Sequence, residues 1–515
     1  MTDNQANSNY EELDVLIIGA GISGLGMAYK MKKERPYDSF AVIEARDNIG
    51  GTWDLFKYPG IRSDSDMYSF SYSFKPWTDR EYVATGDRIM NYLEELTAEE
   101  LLHHYIRFSQ RVTKANWDST AKRWFVTITR GNGTEYHIKT NFLSCCSGYY
   151  DYEEGHLPEW QGYNDYKGTI AHPQFWPKDL DYAGKKVVVI GSGATAVTVV
   201  PTMAMKAEKV TMVQRSPAYV VARPSRDKLF LALSKFLPKG LTNRIMRLKY
   251  TTMQQVTFLV SKKYPALVRK LVRRMNQQEL KGAVDVDVHF KPKYNPWDQR
   301  MALVPDSDLF KLARAGKVGI ETDEIEKFTK TGIKLKSGKE LEADIIVPAT
   351  GLKLQLWGKM DLTVDGNPVR GDNLTIYKGT MFSQVPNFLW VFGYTNSSWT
   401  LKAEVTYEYM IRLLNHMEEN GYESAYPHLD DNADEAGSPV ALQSGYILRS
   451  LHFLPKSGDS FPWRNNDLYM ADWIAVKTAK IADGTMRFND CSVLKGFHET
   501  KQTKVEPISK KSKAA

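Results

Sequence analysis

The sequence predicts an α/β fold of two parallel-sheet units with a helical insert in the second, and three observations predict it. Two apolar runs each end in a glycine-rich turn and continue as a helical pattern: LDVLIIGAGISGLGMAYKM, and later KKVVVIGSGATAVTVVP. Each is followed by a second apolar strand, SFAVIEA and EKVTMVQRSP, completing a strand–helix–strand unit. Between 221 and 298 the pattern becomes basic, helical and punctuated by proline.

The first turn reads Gly19-Ala20-Gly21-Ile22-Ser23-Gly24. Its first glycine makes the tight turn, the second lets backbone approach a pyrophosphate, and the third lets helix and strand pack closely. The helix N-terminus then faces the phosphates with its partial positive charge. Glu44 ends the second strand at the spacing where an acid bonds a ribose hydroxyl. This unit is Rossmann-like and suits an adenine dinucleotide with a bare ribose, such as FAD.

In the second turn Gly191 and Gly193 fill the first two positions and Ala196 the third, an allowed replacement. Ser192, Ala194, Thr195 and Val197 complete the segment expected at the phosphates. Arg215, followed by Ser216, stands where the first unit has its acid. Arginine accommodates a 2′-phosphate, so this half is expected to prefer NADP(H). A hydride donor and a flavin in one chain imply flavin reduction.

Composition bounds the rest. The chain has 515 residues, 42% hydrophobic and 25% charged, values of a soluble globular protein able to bury large cores. The polar, acidic N-terminus MTDNQANSNYEELD resembles no secretory signal. Cys145, Cys146 and Cys491 form neither a disulfide framework nor a redox pair, and no zinc spacing occurs. The expectation is a cytoplasmic protein without a metal. The missing cysteine pair argues against a disulfide reductase.

After Glu44 comes RDNIGGTWDLFKYPGIRSDSD. Gly50 and Gly51 permit close backbone approach, Trp53 and Tyr58 offer flat surfaces, and Arg62 and Asp64 set opposite charges two residues apart. The ordinary reading is a surface loop with an ion pair. Its place just after a cofactor-binding strand makes Thr52, Trp53, Asp54, Leu55, Arg62, Ser63 and Asp64 candidates to face a flavin.

These residues resemble the type I Baeyer–Villiger monooxygenases, class B flavoprotein monooxygenases, over about residues 12 to 490. Gly51-x-Trp53 with Tyr58-Pro59-Gly60 and Asp64 matches one family motif. In YKGTIAHPQFWP, Gly168, His172, Trp176 and Pro177 match a second, with Tyr166 in place of Phe. Ala349-Thr350-Gly351 matches the segment that links the domains. The strings GGTWDLF, YPGIRSDSDMY, IGSGATAV, YNPWDQR and GYTN are most similar to the ethionamide-activating branch of mycobacteria.

The resemblance implies NADPH- and O₂-dependent conversion of a ketone to an ester or lactone through a C4a-peroxyflavin. Sulfide or thioamide oxidation is implied in addition. It makes Arg300 the active-site cation, Asp64 the carboxylate that positions it, and Val112 a backbone contact to FAD. Gln299 stands where many relatives have a phosphate-holding Lys, which shifts that task to Arg215 and Ser216. His172 and Trp176 would couple the two domains rather than act in the chemistry. Two rivals are a sulfur- or nitrogen-oxygenating flavoenzyme and an NADPH oxidase that inserts no oxygen.

The expected ranges are FAD domain 1–152, NADP domain 153–220, insert 221–298, NADP domain 299–384, and FAD domain with tail 385–515. The segment RFSQRVTKANWDSTAKRWFVTITR reads as an antiparallel hairpin. WTDREYV, YTNSSWTLKAE and SFPWRNNDLY are candidate pocket walls.

From Arg223 to Lys281, fifteen Lys and Arg face only Asp227 and Glu279, a net charge of +13 within a chain of net +7. Val268, Leu271, Val272 and Met275 predict one apolar helix face there. The ordinary reading is a helix packed on the body with a solvated basic side. The other is peripheral contact with an anionic membrane. No nucleic-acid reading motif accompanies the charge. The tail KVEPISKKSKAA is expected to lack order.

Overall fold

The computed structural model describes residues 10–429, 443–465, 467–491 and 494. The C-terminal tail lies outside the described residues. Strand β1 (Glu11–Ile18) is apolar along its second half, and all four of its last residues are buried. It pairs in parallel with β2 (Phe40–Ile43) on one side and with β6 (Glu135–Cys145) on the other. The helix Ile22–Glu34 makes the connection between β1 and β2. The edge beyond β2 is β3 (Ile106–Arg107).

The expected hairpin forms as β4 (Gln110–Asp118) and β5 (Arg123–Arg130), antiparallel and in the same sheet. β6 is long enough to serve two neighbours on one side. Its first half pairs with β5, and its end pairs in parallel with Phe388–Trp390. Trp117 and Trp124 meet at 5.6 Å between ring centroids and are fully buried beneath this part of the sheet.

The second sheet is parallel throughout. Its order is Val318–Thr322, β10 (Lys209–Gln214), β9 (Lys186–Ile190), Ile345–Pro348 and β8 (Thr169–Ile170). Both sheets are thus Rossmann-like, and β1 and β9 take equivalent central places.

Two connections join the sheets, and they lie side by side. β7 (Tyr150–Gly155) leads out of the first sheet, Leu352–Leu354 leads back, and the two pair antiparallel. The His172 segment locks this crossing. A Cβ on Gly155 would lie 2.3 Å from the His172 ring, so glycine is what lets the ring rest on β7. Gln174 donates from its amide to the Asp151 carbonyl at 2.7 Å. Thr350 bonds the His156 carbonyl at 2.7 Å from the returning strand's side.

One boundary differs from the expectation. Within 299–384, only the part up to Pro348 joins the second sheet. Asp361–Val364 pairs in parallel with β4, and Asn367–Pro368 extends that edge of the first sheet. A short apolar strand reads the same whichever sheet receives it, so pattern alone placed this piece in the wrong unit.

The insert is pinched at its neck, where Val220–Arg223 pairs in parallel with Ala302–Pro305. Helices Lys228–Leu233, Lys239–Lys263, Pro265–Leu280 and Val286–His289 lie between. The predicted apolar face is corrected: Val272 is buried, but Leu271 is 55% exposed, and the buried line continues through Asn276 and Leu280. Among the described residues no helix is long and apolar enough to cross a membrane.

Candidate functional site

Both glycine turns open into one cavity of about 970 Å³ at the C-terminal ends of the parallel strands of both sheets. That is where open α/β sheets bind ligands. Ile18, Ile43, Ile190 and Val213, each at or near a strand end, form part of its wall.

The first turn is built for backbone approach. Gly19 takes φ +97°, and a Cβ on Gly24 would sit 1.7 Å from the Gly19 carbonyl oxygen. Gly21 and Gly51 bring two backbones together, since a Cβ on Gly51 would lie 3.1 Å from the Gly21 Cα. Glu44 accepts the Ala20 N–H at 2.7 Å and the Arg46 N–H at 2.8 Å. Burial raises its carboxyl above the ordinary range, opposed by these two N–H donors. An ionised carboxylate has about four acceptor sites, so a ribose hydroxyl can still be bonded. Ser23 is buried and accepts the Trp399 indole N–H at 2.8 Å.

The second turn presents a different face. Gly191 at φ +137° must be small, because a Cβ would meet the Ala349 carbonyl oxygen at 2.3 Å. A Cβ on Gly193 meets nothing within 4 Å. It would point into open space at the N-terminus of the helix Ala194–Met203, where backbone N–H groups await an anion. Ser192 donates to the Ser216 carbonyl at 3.1 Å, fastening the turn to the end of β10. Arg215 and Ser216 are exposed and line the cavity.

The loop after β2 divides. Thr52, Trp53, Arg62, Ser63 and Asp64 line the cavity, and so does Val112 from β4. Asp54 and Leu55 are not in its lining; Asp54 turns to Arg46, 2.5 Å from Nη2. Ala196 and Val197 are likewise core, fully packed behind the second turn. The reason is helical geometry: Ala194 and Thr198, four residues apart, face the cavity, while the residues between them turn to the core. Thr195 is outside the lining as well; Tyr58 is in it, and burial pushes its hydroxyl up to about 12.

Arg62 and Asp64 do not pair with each other. Arg62 reaches Asp308 of the second unit, Nη1 to Oδ2 at 2.7 Å. Asp64 faces Arg300, Oδ2 to Nη1 at 3.7 Å. Arg300 leaves the end of the insert and points into the cavity with its side chain about one third exposed to it. The Asp64 charge raises the Arg300 pKa further, so the cation persists at any working pH.

Sequence reasoning missed the wall around this pair. Tyr149, Tyr150 and Tyr152 line the cavity where β6 runs into β7. The Tyr149 and Tyr150 hydroxyls are 2.9 Å apart, and Tyr149 stacks on Trp399 at 5.3 Å and 15°. Burial raises all three phenols, Tyr152 to about 12. Tyr446, Phe392 and Trp357 add further aromatic surface. The signal was there: a tyrosine cluster immediately after a buried strand that ends at the cavity. Of the named aromatic stretches, Tyr394, Thr395, Ser397 and Trp399 contribute, whereas Trp77 and Tyr82 are core. His172 and Trp176 are outside the lining.

Residues 12–384 match the family model described as flavin-binding monooxygenase-like. The chain is 46% identical over 481 residues to the probable FAD-binding monooxygenase AlmA of Acinetobacter baylyi, covering 93% of this chain and 96% of that one. It is 46% identical over 479 residues to the FAD-containing monooxygenase EthA of Mycolicibacterium smegmatis, covering 93% and 97%. Among solved structures, an oxidised steroid monooxygenase bound to NADP superposes with a TM-score of 0.73 at 21% identity, over 93% of this chain and 99% of that one. OTEMO in complex with FAD and NADP superposes at 0.65 and 21%, over 81% and 88%. These last two share the fold. By the family match and the two close relatives, this chain belongs to the flavin-binding monooxygenase-like family.

Proposed function

We propose that this protein is an FAD- and NADPH-dependent oxygenase that converts ketones to esters or lactones and also oxidises sulfides. The observation that supports this most is the Arg300–Asp64 pair, 3.7 Å apart in a cavity shared by two dinucleotide turns. The residues present fit both nucleotides. Gly19, Gly21 and Glu44 offer the cradle for one, with Gly24 letting the helix pack close behind it. Gly193 and the helix N-terminus, with Arg215 and Ser216 at the strand end, suit the 2′-phosphorylated other.

When bound, the flavin supplies the electron relay and the oxygen-activating centre. The chain supplies charge and shape. Oxygen transfer to a carbonyl develops negative charge on oxygen, and a preorganised cation stabilises it without reorganisation at the moment of reaction. Arg300 is assigned that role. Asp64 fixes its direction. Tyr149, Tyr150, Tyr446 and Trp399 narrow the water-accessible space around it, which protects a reactive oxygen species from decay.

The test is product analysis. Purified, FAD-loaded protein receives NADPH, O₂ and a panel of ketones and sulfides, with NADPH consumption and H₂O₂ followed together. Esters with little H₂O₂ are expected. Sulfoxides without any ester would move the reading to heteroatom oxygenation. H₂O₂ equal to NADPH throughout would favour an oxidase.

A further inference from the structure

The long insert helix Lys239–Lys263 is apolar on both sides. Its buried side anchors in the core through Met246 and Tyr250 and also carries Thr242, Asn243, Thr251, Gln255 and Ser261. Its exposed side carries Leu241, Leu248, Val256, Leu259 and Val260, with Leu248 62% exposed. A surface helix normally keeps that outer side polar. The following helix continues the pattern with Leu267 and Leu271, four residues apart and both more than half exposed. Just before the long helix, Phe236 is 86% exposed.

A segment from the far end of the chain adds to this surface. The helix Tyr469–Thr478 begins against the long helix, where the Met470 N–H donates to the Gln255 side-chain oxygen at 3.3 Å. Met470, Trp473 and Ile474 of that helix are all exposed. Large exposed apolar groups concentrated in one region mark an interaction surface, whereas scattered single ones do not.

Charge selects the occupant. Lys235, Lys239, Arg244, Lys270 and Arg274 are exposed on the same insert and make no ion pair among the described residues. Arg244 stands between Leu241 and Leu248 at helical spacing, on the exposed side. A second copy would set one +13 segment against another, which opposes self-association through this face. An anionic bilayer satisfies both chemistries: lipid phosphates meet the Lys and Arg groups, and the apolar side chains enter the boundary between headgroups and acyl chains. We propose that this face, formed by the insert helices and the Tyr469–Thr478 helix, seats the protein on an anionic lipid surface without crossing it.

The experiment is flotation of the full-length, FAD-loaded protein with vesicles. One set is phosphatidylcholine alone, the other phosphatidylcholine with phosphatidylglycerol, each at low salt and at about 0.5 M, where screening is short-ranged. Binding to the anionic vesicles at low salt, weakened by salt, is expected. The double variant Leu248→Ser, Leu259→Ser should reduce the bound fraction about tenfold while FAD content and NADPH oxidation persist. Should that variant fail to fold, Lys270→Glu with Arg274→Glu serves as the second probe and should also lose binding. No flotation with anionic vesicles at low salt overturns the proposal. So does equal binding to neutral vesicles, or binding that neither variant changes. Vesicle binding absent, together with a wild-type dimer that the variants dissociate in sedimentation velocity, would make this face a subunit interface and also overturn it.

Discussion

Arg300 and Asp64 face each other at 3.7 Å although each comes from a different unit of the fold. Asp64 sits in the loop after β2, and Ser63 beside it is tied by its N–H to the Ala84 carbonyl at 2.9 Å. Arg300 is delivered by the closing end of the insert, next to the strand Ala302–Pro305. The geometry of this pair therefore depends on how the two units are held together.

Replacing Arg300 by Ala is expected to reduce ester formation by about 10²–10³, the usual cost of removing one preorganised charge stabiliser. NADPH oxidation should continue, with its electrons appearing as H₂O₂. Asp64→Asn should cause a smaller loss of the same kind. Parallel loss of NADPH oxidation and ester in Arg300→Ala would contradict the assignment.

The two glycine turns predict contrasting defects. Gly24→Ala places a methyl group where the Gly19 carbonyl oxygen stands, so the purified variant should lack flavin absorbance and melt lower. Gly193→Ala meets no protein atom. It should fold with its flavin and show a raised KM for NADPH, with steady-state kinetics as the measurement.

Arg215→Ala should erode the choice between coenzymes. The ratio of kcat/KM for NADPH over NADH is expected to fall roughly tenfold or more, as a charge-assisted contact to the 2′-phosphate is lost. An unchanged ratio would remove Arg215 from that role.

His172 predicts a pH effect on stability. Burial lowers its pKa below the ordinary 6.5, so its neutral form belongs to the folded state. A depressed folded pKa means that the stabilisation is present above 6.5 and is lost as pH falls through the folded value. Wild-type Tm should therefore drop on acidification below about pH 6.5. His172→Gln should flatten that part of the profile, as melting curves across pH would reveal.

Much of this was legible in the chain. The glycine turns, Glu44, Arg215 and the hairpin all rest on local spacing, and local spacing is what a one-dimensional pattern records. Less legible was the fate of neighbours within a motif. Asp54 and Leu55 follow Trp53, and Thr195, Ala196 and Val197 lie between Ala194 and Thr198, yet they turn away from the cavity. One turn of helix carries successive residues to opposite sides.

Arg62 and Asp64 make the same point about charge. Two residues apart, they read as an ion pair, but they find Asp308 and Arg300 instead. The strand Asp361–Val364 was equally ambiguous until β4 received it. By itself, then, the sequence determined two nucleotide-binding units, their order, and the cationic insert between them. Only the tertiary structure decided that Arg62 pairs with Asp308, which aromatics wall the cavity, and that the insert turns its leucines outward. Those outcomes are settled by packing between segments distant in the chain, where burial and charge compensation act on the assembled surface rather than on neighbouring residues.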